Sequence, residues 1–97
     1  MSDIVKIGVV GVGQLGAQHA RIYSELAKRS NGQYSFVGVY DTDNIRLRAL
    51  TEKVGGGTFE SAVELANFVD AVSVATPTDT HYKVARIFLE RGKHVLI

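Results

Sequence analysis

The sequence predicts an α/β domain in which helices cover both faces of a doubly wound parallel sheet of five strands. Strand-like and helix-like segments alternate along all 97 residues, the strand-like ones are rich in β-branched residues, and glycines gather at the turns between them. Alternation of this kind produces parallel strands joined by right-handed crossover helices. Since a domain typically holds about 100–150 residues, we expect residues 1–97 to form one domain.

The first strand and the first helix are predicted over residues 4–10 and 15–28. Ile4 to Val10 is a nearly continuous β-branched run, which is typical of a strand buried on both faces. In the helical segment, apolar residues recur at helical spacing, so we expect one broad buried face, formed by Leu15, Ile22 and Leu26 with Ala20, Tyr23 and Ala27 beside them.

The second strand is predicted from Tyr34 to Tyr40, and Asp41 follows it directly. Asp43 is suited to be the N-cap of the next helix, because its short carboxylate can accept a free backbone N–H of the first turn. We expect that helix to run through Ile45, Leu47, Leu50 and Val54 and to stop at the three glycines 55–57.

A short third strand is predicted at Thr58–Phe59, followed by a short helix that ends near Asn67. Ser61 and Glu64 have the spacing of a capping box, in which the hydroxyl and the carboxylate each accept a free N–H of the first turn. The helix is therefore expected to begin just after Ser61.

The fourth strand is predicted from Ala71 to Ala75 and is halted by Thr76 and Pro77. Thr78 or Asp79 is expected to be the N-cap of the last helix, whose apolar stripe is His81, Val84, Ala85 and Phe88. Gly92 is suited to the left-handed position at the end of that helix, and residues 93–97 begin a fifth strand.

Composition and charge exclude several classes of protein. Eleven basic and ten acidic residues leave a net charge of +1, without the basic surface expected of a nucleic-acid or membrane-surface binder. No apolar run approaches the ~20 residues of a membrane span, and the chain has no cysteine for a disulfide, a thiolate metal site or a nucleophile. The first residues lack the pattern of a secretory signal, so we expect a cytoplasmic protein.

The sequence Gly11-Val12-Gly13-Gln14-Leu15-Gly16 is the strongest functional signal. It lies directly after the first predicted strand and opens the first helix, which is the placement that dinucleotide binding requires. The first glycine permits a tight turn, the second lets a pyrophosphate approach the backbone, and the third lets helix and strand pack closely. The alternative is a glycine-rich turn that binds nothing.

Asp41, at the end of the second strand, is the candidate ligand of the adenosine ribose. A carboxylate there accepts hydrogen bonds from the ribose hydroxyls and repels a 2′-phosphate, so it favours NAD over NADP. The alternative is a structural Asp that starts a turn, but Asp43 already suits the capping role and leaves Asp41 freer. NADP remains possible because Arg46 or Arg48 could reach a phosphate.

The loop after the fourth strand is the third candidate element of the site. Ligands of open parallel sheets bind at the carboxyl ends of the strands, where this loop and the glycine loop would converge. Thr76 and Thr78 offer hydroxyls, Pro77 stiffens the backbone, and His81 either contacts a ligand or packs. His19, in the first helix, is expected to pack or to form a local hydrogen bond.

Four segments together resemble the Gfo/Idh/MocA family of glucose-fructose oxidoreductase and inositol dehydrogenase relatives: residues 7–16 with His19, 37–41, 70–77 with His81, and 92–97. The resemblance implies a Rossmann-like fold and a nicotinamide-dependent dehydrogenase of sugars, polyols or similar hydroxyl or carbonyl substrates. It also implies that Thr76, Pro77 and His81 line the nicotinamide half of the cofactor.

The family continues from the fifth strand into a Glu-Lys-Pro motif, whose lysine assists proton transfer, and then into a substrate domain. This sequence stops at Ile97, short of that motif, so no residue here takes the lysine's role. We therefore expect a cofactor-binding domain without its substrate domain, which binds cofactor without turnover and meets substrate only together with that domain.

Two further expectations concern partners and alternative functions. Self-association into a homo-oligomer is expected, either through the edge of the fifth strand, which has little charge in residues 94–97, or through apolar surface that the substrate domain would cover. The competing function is a non-catalytic nucleotide-binding or redox-sensing module, because dinucleotide-binding domains serve many roles. A fragment too incomplete to bind any ligand is the third reading.

Overall fold

The computed structural model describes residues 4–97, and its centre is a five-stranded sheet in which every strand pair is parallel. The strands are β1 (Val5–Val10), β2 (Tyr34–Tyr40), β3 (Gly57–Thr58), β4 (Ala71–Val74) and β5 (His94–Leu96). Their order across the sheet is β3-β2-β1-β4-β5. The chain thus adds strands on one side of β1 and then crosses to the other side, which is the doubly wound arrangement expected from the sequence.

Four helices cover the two faces of the sheet: α1 (Gln14–Arg29), α2 (Asn44–Val54), α3 (Ala62–Ala66) and α4 (His81–Leu89). The helices α1 and α2 contact each other on one face, and α3 and α4 contact each other on the opposite face. Among residues 4–97, no helix is both long and apolar enough to cross a membrane.

The core lies in two layers, one on each face of the sheet. Successive residues of a strand point to opposite faces, so Val9 packs with the layer under α1 and α2 while Val10 packs with the layer under α3 and α4. Leu65 and Phe88, both completely buried, bring α3 and α4 into the second layer. This explains why Val9 and Val10, at the buried end of β1, are both apolar rather than alternating with polar residues.

The buried face of α1 differs from the predicted one. Leu15, Ile22 and Leu26 are 59%, 49% and 52% exposed, and the residues of the helix that are buried are Gly16, Ala20 and Ser24. Small side chains at this spacing form a narrow face that lets the helix axis approach the sheet closely. Of the predicted face, Ala20 is buried and Tyr23 packs against the core as expected, and the three large aliphatic residues are the wrong part of the prediction. Close approach of the helix to the sheet selects small residues over large ones.

The start and end of α2 agree with the prediction. The side chain of Asp43 accepts a hydrogen bond from the Arg46 N–H at 3.1 Å, and Gly55 ends the helix with a positive φ of 80°. The helix runs through the four predicted apolar residues, of which Leu47 and Leu50 are buried and Ile45 is 84% exposed. Ile45 stands in the first turn of the helix.

The predicted capping box at α3 is half correct. Ser61 Oγ accepts from the Glu64 N–H at 3.0 Å, but the Glu64 carboxylate accepts from the N–H of Glu60 rather than from that of Ser61. The strand before it lies one residue earlier than predicted, because the Phe59 ring leaves the sheet and packs 5.7 Å from the ring of Phe68, centroid to centroid.

The start of α4 was predicted wrongly and its end correctly. Thr78 and Asp79 belong to a 3-10 turn, Thr78–Thr80, and the α-helix begins after Thr80, whose hydroxyl and N–H both donate to the Pro77 carbonyl. At the other end Gly92 has a φ of 74°, and its N–H and that of residue 93 donate back to Leu89 and Phe88. These two bonds form a Schellman motif.

Candidate dinucleotide-binding site

Three loops converge where β1, β2 and β4 end. Val10 is in register with both Tyr40 of β2 and Val74 of β4, so the chain leaves the three strands at the same level. The Gly11 N–H donates to the Tyr40 carbonyl at 2.9 Å, and the Ala75 N–H donates to the Val10 carbonyl at 2.8 Å. The glycine loop (residues 11–13) therefore lies between the loop after β2 (residues 41–43, the Asp41 loop) and the loop after β4 (residues 75–77, the Thr76 loop). This is the point where the strand order reverses.

Gly11 and Gly16 are required by close backbone contacts. Gly11 has a φ of 103°, and a Cβ there would lie 2.6 Å from the Ala75 carbonyl oxygen. A Cβ on Gly16 would lie 1.8 Å from the Gly11 carbonyl oxygen. The first glycine thus lets the loop turn against β4, and the third lets α1 pack onto the loop itself.

Gly13 differs from these two glycines because its surroundings are open. It is the N-cap of α1, has an ordinary φ of −68°, and a Cβ there would meet no atom within 4 Å. The first turn of α1 contains no acidic residue and receives no side-chain cap, and Gln14 and Leu15 in that turn are exposed. Free N–H groups and the positive end of a 16-residue helix therefore face open space.

Asp41 is half-buried, and both of its carboxylate oxygens are engaged. Oδ2 accepts from the Val12 N–H at 2.8 Å, and Oδ1 accepts from the Asp43 N–H at 2.9 Å and from the Thr42 hydroxyl at 3.3 Å. Asp43 caps α2 as expected. The Asp41 carboxylate is nevertheless not free, because it already accepts these three hydrogen bonds. It connects the end of β2 to the glycine loop.

A cavity of about 690 Å³ opens beside Asp41, over the carboxyl ends of β2 and β3. Leu47 and Phe59 give it apolar surface, and the charged side chains around it are Asp41, Arg48, Glu60 and Glu64. Arg46 does not line the cavity, and its guanidinium lies 3.5 Å from the Asp43 carboxylate. Of the two arginines considered from the sequence, only Arg48 borders this space.

The loop after β4 places Thr76 and His81 against each other. The His81 Nε2–H donates to the Thr76 carbonyl at 2.5 Å, which fixes the orientation of the ring because a carbonyl can only accept. The Thr76 hydroxyl is buried and has no hydrogen-bond partner among the described residues. Pro77 and Thr78 are exposed at the rim of the same loop.

A polar cluster around the buried Ser73, with the half-buried His19 and Tyr23, was not predicted. His19 Nδ1 lies 2.9 Å from Ser73 Oγ, and the Tyr23 hydroxyl lies 3.2 Å from the same oxygen. The expectation of a local bond for His19 is wrong, because its partner is 54 positions away in β4. Two signals were present in the sequence: His19 and Tyr23 share a helix face, and Ser73 is the only polar residue of its strand.

The residues present fit a dinucleotide. The open space at Gly13 would admit phosphates to the α1 N-terminus, the unpartnered Thr76 hydroxyl offers a buried donor on the opposite wall, and the cavity beside Asp41 is large enough for a nucleoside. Fold and site together define the class of the protein, a Rossmann-type dinucleotide-binding domain.

The chain belongs to the Gfo/Idh/MocA family, described as an oxidoreductase family with an NAD-binding Rossmann fold, which matches residues 5–97. It is 36% identical over 93 residues to the UDP-N-acetylglucosamine 3-dehydrogenase of Acidithiobacillus ferrooxidans, covering 96% of this chain and 28% of that protein. The solved structure of that enzyme superposes with a TM-score of 0.86 over 98% of this chain and 29% of its own.

Two further similarities extend this result. Inositol 2-dehydrogenase 1 of Saccharopolyspora erythraea is 38% identical over 96 residues, covering 95% of this chain and 27% of that protein. The structure of GenD2 from gentamicin A biosynthesis, in complex with NAD, has a TM-score of 0.78 at 25% identity, covering 98% of this chain and 26% of its own. The chain thus spans little more than a quarter of the length of these relatives.

Proposed function

We propose that this chain is the cofactor-binding part of a nicotinamide-dependent dehydrogenase of a sugar, polyol or similar hydroxyl compound. The observation that carries the proposal is Gly13, where open space meets an uncapped helix N-terminus between the Asp41 and Thr76 loops. When bound, a nicotinamide dinucleotide supplies the acceptor or donor of the hydride. The relatives named above act on a nucleotide sugar and on inositol, which supports this substrate class.

Each candidate residue has a proposed task in binding. Gly11 gives the loop the turn that brings it to the pyrophosphate, while its own N–H stays bonded to the Tyr40 carbonyl. Backbone N–H groups for the pyrophosphate come from Gly13, Gln14, Leu15 and Gly16. Asp41 accepts from the adenosine ribose, and the nicotinamide half is bordered by Thr76, Pro77, Thr78 and His81. In this assignment His81 acts through the Thr76 carbonyl, which its ring holds in place. The chain binds and orients the cofactor, and substrate contacts come from other residues of the dehydrogenase.

We propose NAD rather than NADP as the cofactor. Three carboxylates, those of Asp41, Glu60 and Glu64, border the cavity beside the ribose position, against one guanidinium, that of Arg48. A 2′-phosphate placed there would be repelled more than attracted, whereas ribose hydroxyls can donate to the Asp41 carboxylate. We further propose a cytoplasmic location, where such a cofactor is available.

Calorimetric titration of the chain with NAD and with NADP tests these proposals. NAD should bind at least about tenfold more tightly than NADP, a difference of about 1.4 kcal/mol. The same chain mixed with NAD and a panel of sugars and polyols should form no reduced cofactor. Absence of binding to either dinucleotide by a folded chain would contradict the proposed function.

Arg48 is the residue to change if NADP binds more tightly. Arg48→Ala should then abolish the preference, and Arg46→Ala is the matched control because the Arg46 guanidinium is already paired with Asp43 outside the cavity. Equal loss in both variants would show that neither arginine reads the phosphate specifically.

We also propose that the chain self-associates through β5. This strand is at the edge of the sheet, and Leu96 and Ile97 are 57% and 65% exposed. The groove beside it is lined by His94 and by apolar residues that include Ile7 and Tyr23. Unpaired N–H and C=O groups along an apolar edge favour pairing with a second copy.

A further inference from the structure

We propose that Asp41 is also a positioning residue, which holds the glycine loop in its phosphate-receiving shape before any ligand binds. The contact is the hydrogen bond from the Val12 N–H to Asp41 Oδ2, 2.8 Å long and spanning 29 positions of sequence. The inference rests on the proposed function, because it concerns the same site, but it assigns Asp41 a task that needs no ribose.

The Val12 N–H needs an acceptor because the strand ladder has already ended. β1 stops at Val10, the Gly11 N–H still reaches the carbonyl of Tyr40, and Val12 is the next residue along, only 6% exposed. Buried N–H groups in native proteins are paired almost without exception. The Asp41 carboxylate continues the ladder by one step where the backbone of β2 has turned away.

The second carboxylate oxygen fixes the orientation of the first. Asp41 Oδ1 accepts from the Asp43 N–H at 2.9 Å and from the Thr42 hydroxyl at 3.3 Å, both within its own loop. The carboxylate is therefore held from one side by the turn that follows β2 and holds the glycine loop on the other side. Asp41 is a rigid connection between two loops rather than a free side chain awaiting a ligand.

The Asp41 contact determines which backbone N–H groups are left for phosphates, and these begin one residue after Val12. With the N–H groups of Gly11 and Val12 directed back into the protein, the next donors are those of Gly13 and the first turn of α1, which face open space. Rotation of the Val12 peptide would move Gly13 with it and misalign those donors. The Asp41 contact thus supports phosphate binding through Val12 without touching a phosphate.

Positioning and ribose binding are compatible, and they can be separated experimentally. Each carboxylate oxygen can accept two hydrogen bonds, so Oδ2 retains capacity for a ribose hydroxyl. If Asp41 acts only on the ribose, removing it weakens only ligands that carry the ribose hydroxyls. If it also positions the loop, removing it weakens ligands that lack them.

The binding test uses ADP and 2′,3′-dideoxy-ADP, titrated into the full chain and three variants. Asp41→Ala should weaken dideoxy-ADP by about fivefold and ADP by more, since ADP loses the ribose contact as well. Asp41→Asn keeps an acceptor for Val12 and should restore most of the dideoxy-ADP affinity. Asp43→Ala is the matched control, which removes an equal charge from the same loop without touching Val12 and should leave both affinities within about twofold.

A second measurement needs no ligand. Amide hydrogen exchange at Val12 should be at least about tenfold faster in Asp41→Ala than in the parent or in Asp43→Ala, whereas the buried amides of Val9 and Val39 should be unchanged. Unchanged exchange at Val12, or full dideoxy-ADP affinity in Asp41→Ala, would overturn the positioning role. Protected Val12 in a parent chain that binds no nucleotide would instead contradict the proposed function and leave the positioning role standing.

Discussion

Positions 13 and 16, at the start of α1, are both glycine, but the physical reason differs between them. Gly16 is confined by the structure itself, since its missing Cβ would overlap the Gly11 carbonyl oxygen at 1.8 Å. At Gly13, a Cβ would meet no atom within 4 Å, and the φ is one that any residue adopts. We infer that Gly16 is required for the fold and Gly13 for the ligand.

Alanine substitutions should separate these two roles. Gly16→Ala should lower the free energy of unfolding by at least about 2 kcal/mol, because backbone must move to admit the methyl group. Gly13→Ala should cost less than about 1 kcal/mol, the range of N-cap effects, and yet weaken ADP at least about tenfold by filling the space that the phosphates need. Urea denaturation and calorimetry measure the two quantities, and undiminished ADP affinity in Gly13→Ala would show that phosphates do not approach there.

At the residue scale, sequence predicted the candidate positions better than it predicted their contacts. The motif rules located Gly11, Gly13, Gly16 and Asp41 at the loops that the structure brings together. The bond between Asp41 and Val12 could not be predicted, because it depends on how far β2 and β1 extend relative to each other. Pairings of this kind are set by strand register and are invisible to local spacing.

The helix α1 is attached to the sheet by a polar contact as well as by small residues. Ser73 of β4 is 1% exposed and provides the oxygen that both His19 and Tyr23 contact. Since the glycine loop precedes α1 and the Thr76 loop follows β4, this cluster joins the elements that carry the two walls of the site. A buried polar group that loses its only partner is costly.

Ser73→Ala should therefore lower the free energy of unfolding by about 0.5–1.5 kcal/mol, the net contribution of a hydrogen bond, because the half-buried His19 and Tyr23 lose their shared partner. His19→Ala and the double variant complete a thermodynamic cycle in urea denaturation. The double variant should be less destabilised than the sum of the two single changes by at least about 0.5 kcal/mol. Simple additivity would mean that the two side chains do not stabilise each other.

At the element scale, helices and strands were predicted in the right order, and the errors lie where tertiary contacts decide. The exposed Leu15, Ile22 and Leu26 misled the choice of the buried face of α1, because the sheet accepts only small side chains at that distance. The α4 helix starts later than expected, because the carbonyl of Pro77 draws both donors of Thr80 into a 3-10 turn. Neither effect leaves a signal in hydrophobic spacing.

At the scale of the whole molecule, the two edge strands of the sheet, β3 and β5, differ in how readily a second copy could pair with them. β3 has only two residues, one of them glycine, and offers little to a partner strand, whereas β5 lies beside a mostly apolar groove and exposes Leu96. Short edge strands are one way in which proteins avoid edge-to-edge pairing. We therefore expect association through β5 and not through β3.

Sedimentation of the chain over a range of concentrations should show a species heavier than the monomer, and Leu96→Lys should shift it towards the monomer by placing a charge on the edge. Ile45→Lys is the matched control, since Ile45 is an even more exposed apolar residue on α2 and lies away from that edge. A monomeric mass at high concentration, or an equal effect of both lysines, would count against association through β5.

The position of β1 at the centre of the sheet has a consequence for how the protein is made. Val10 is aligned with Tyr40 on one side and with Val74 on the other, so the walls of the site come from opposite halves of the chain. A nascent chain folded only through β3 would carry the glycine loop and Asp41 but not the Thr76 loop. The complete site forms only after β4 has left the ribosome. Cofactor would therefore bind only chains whose second half has docked, and binding would stabilise those chains against unfolding.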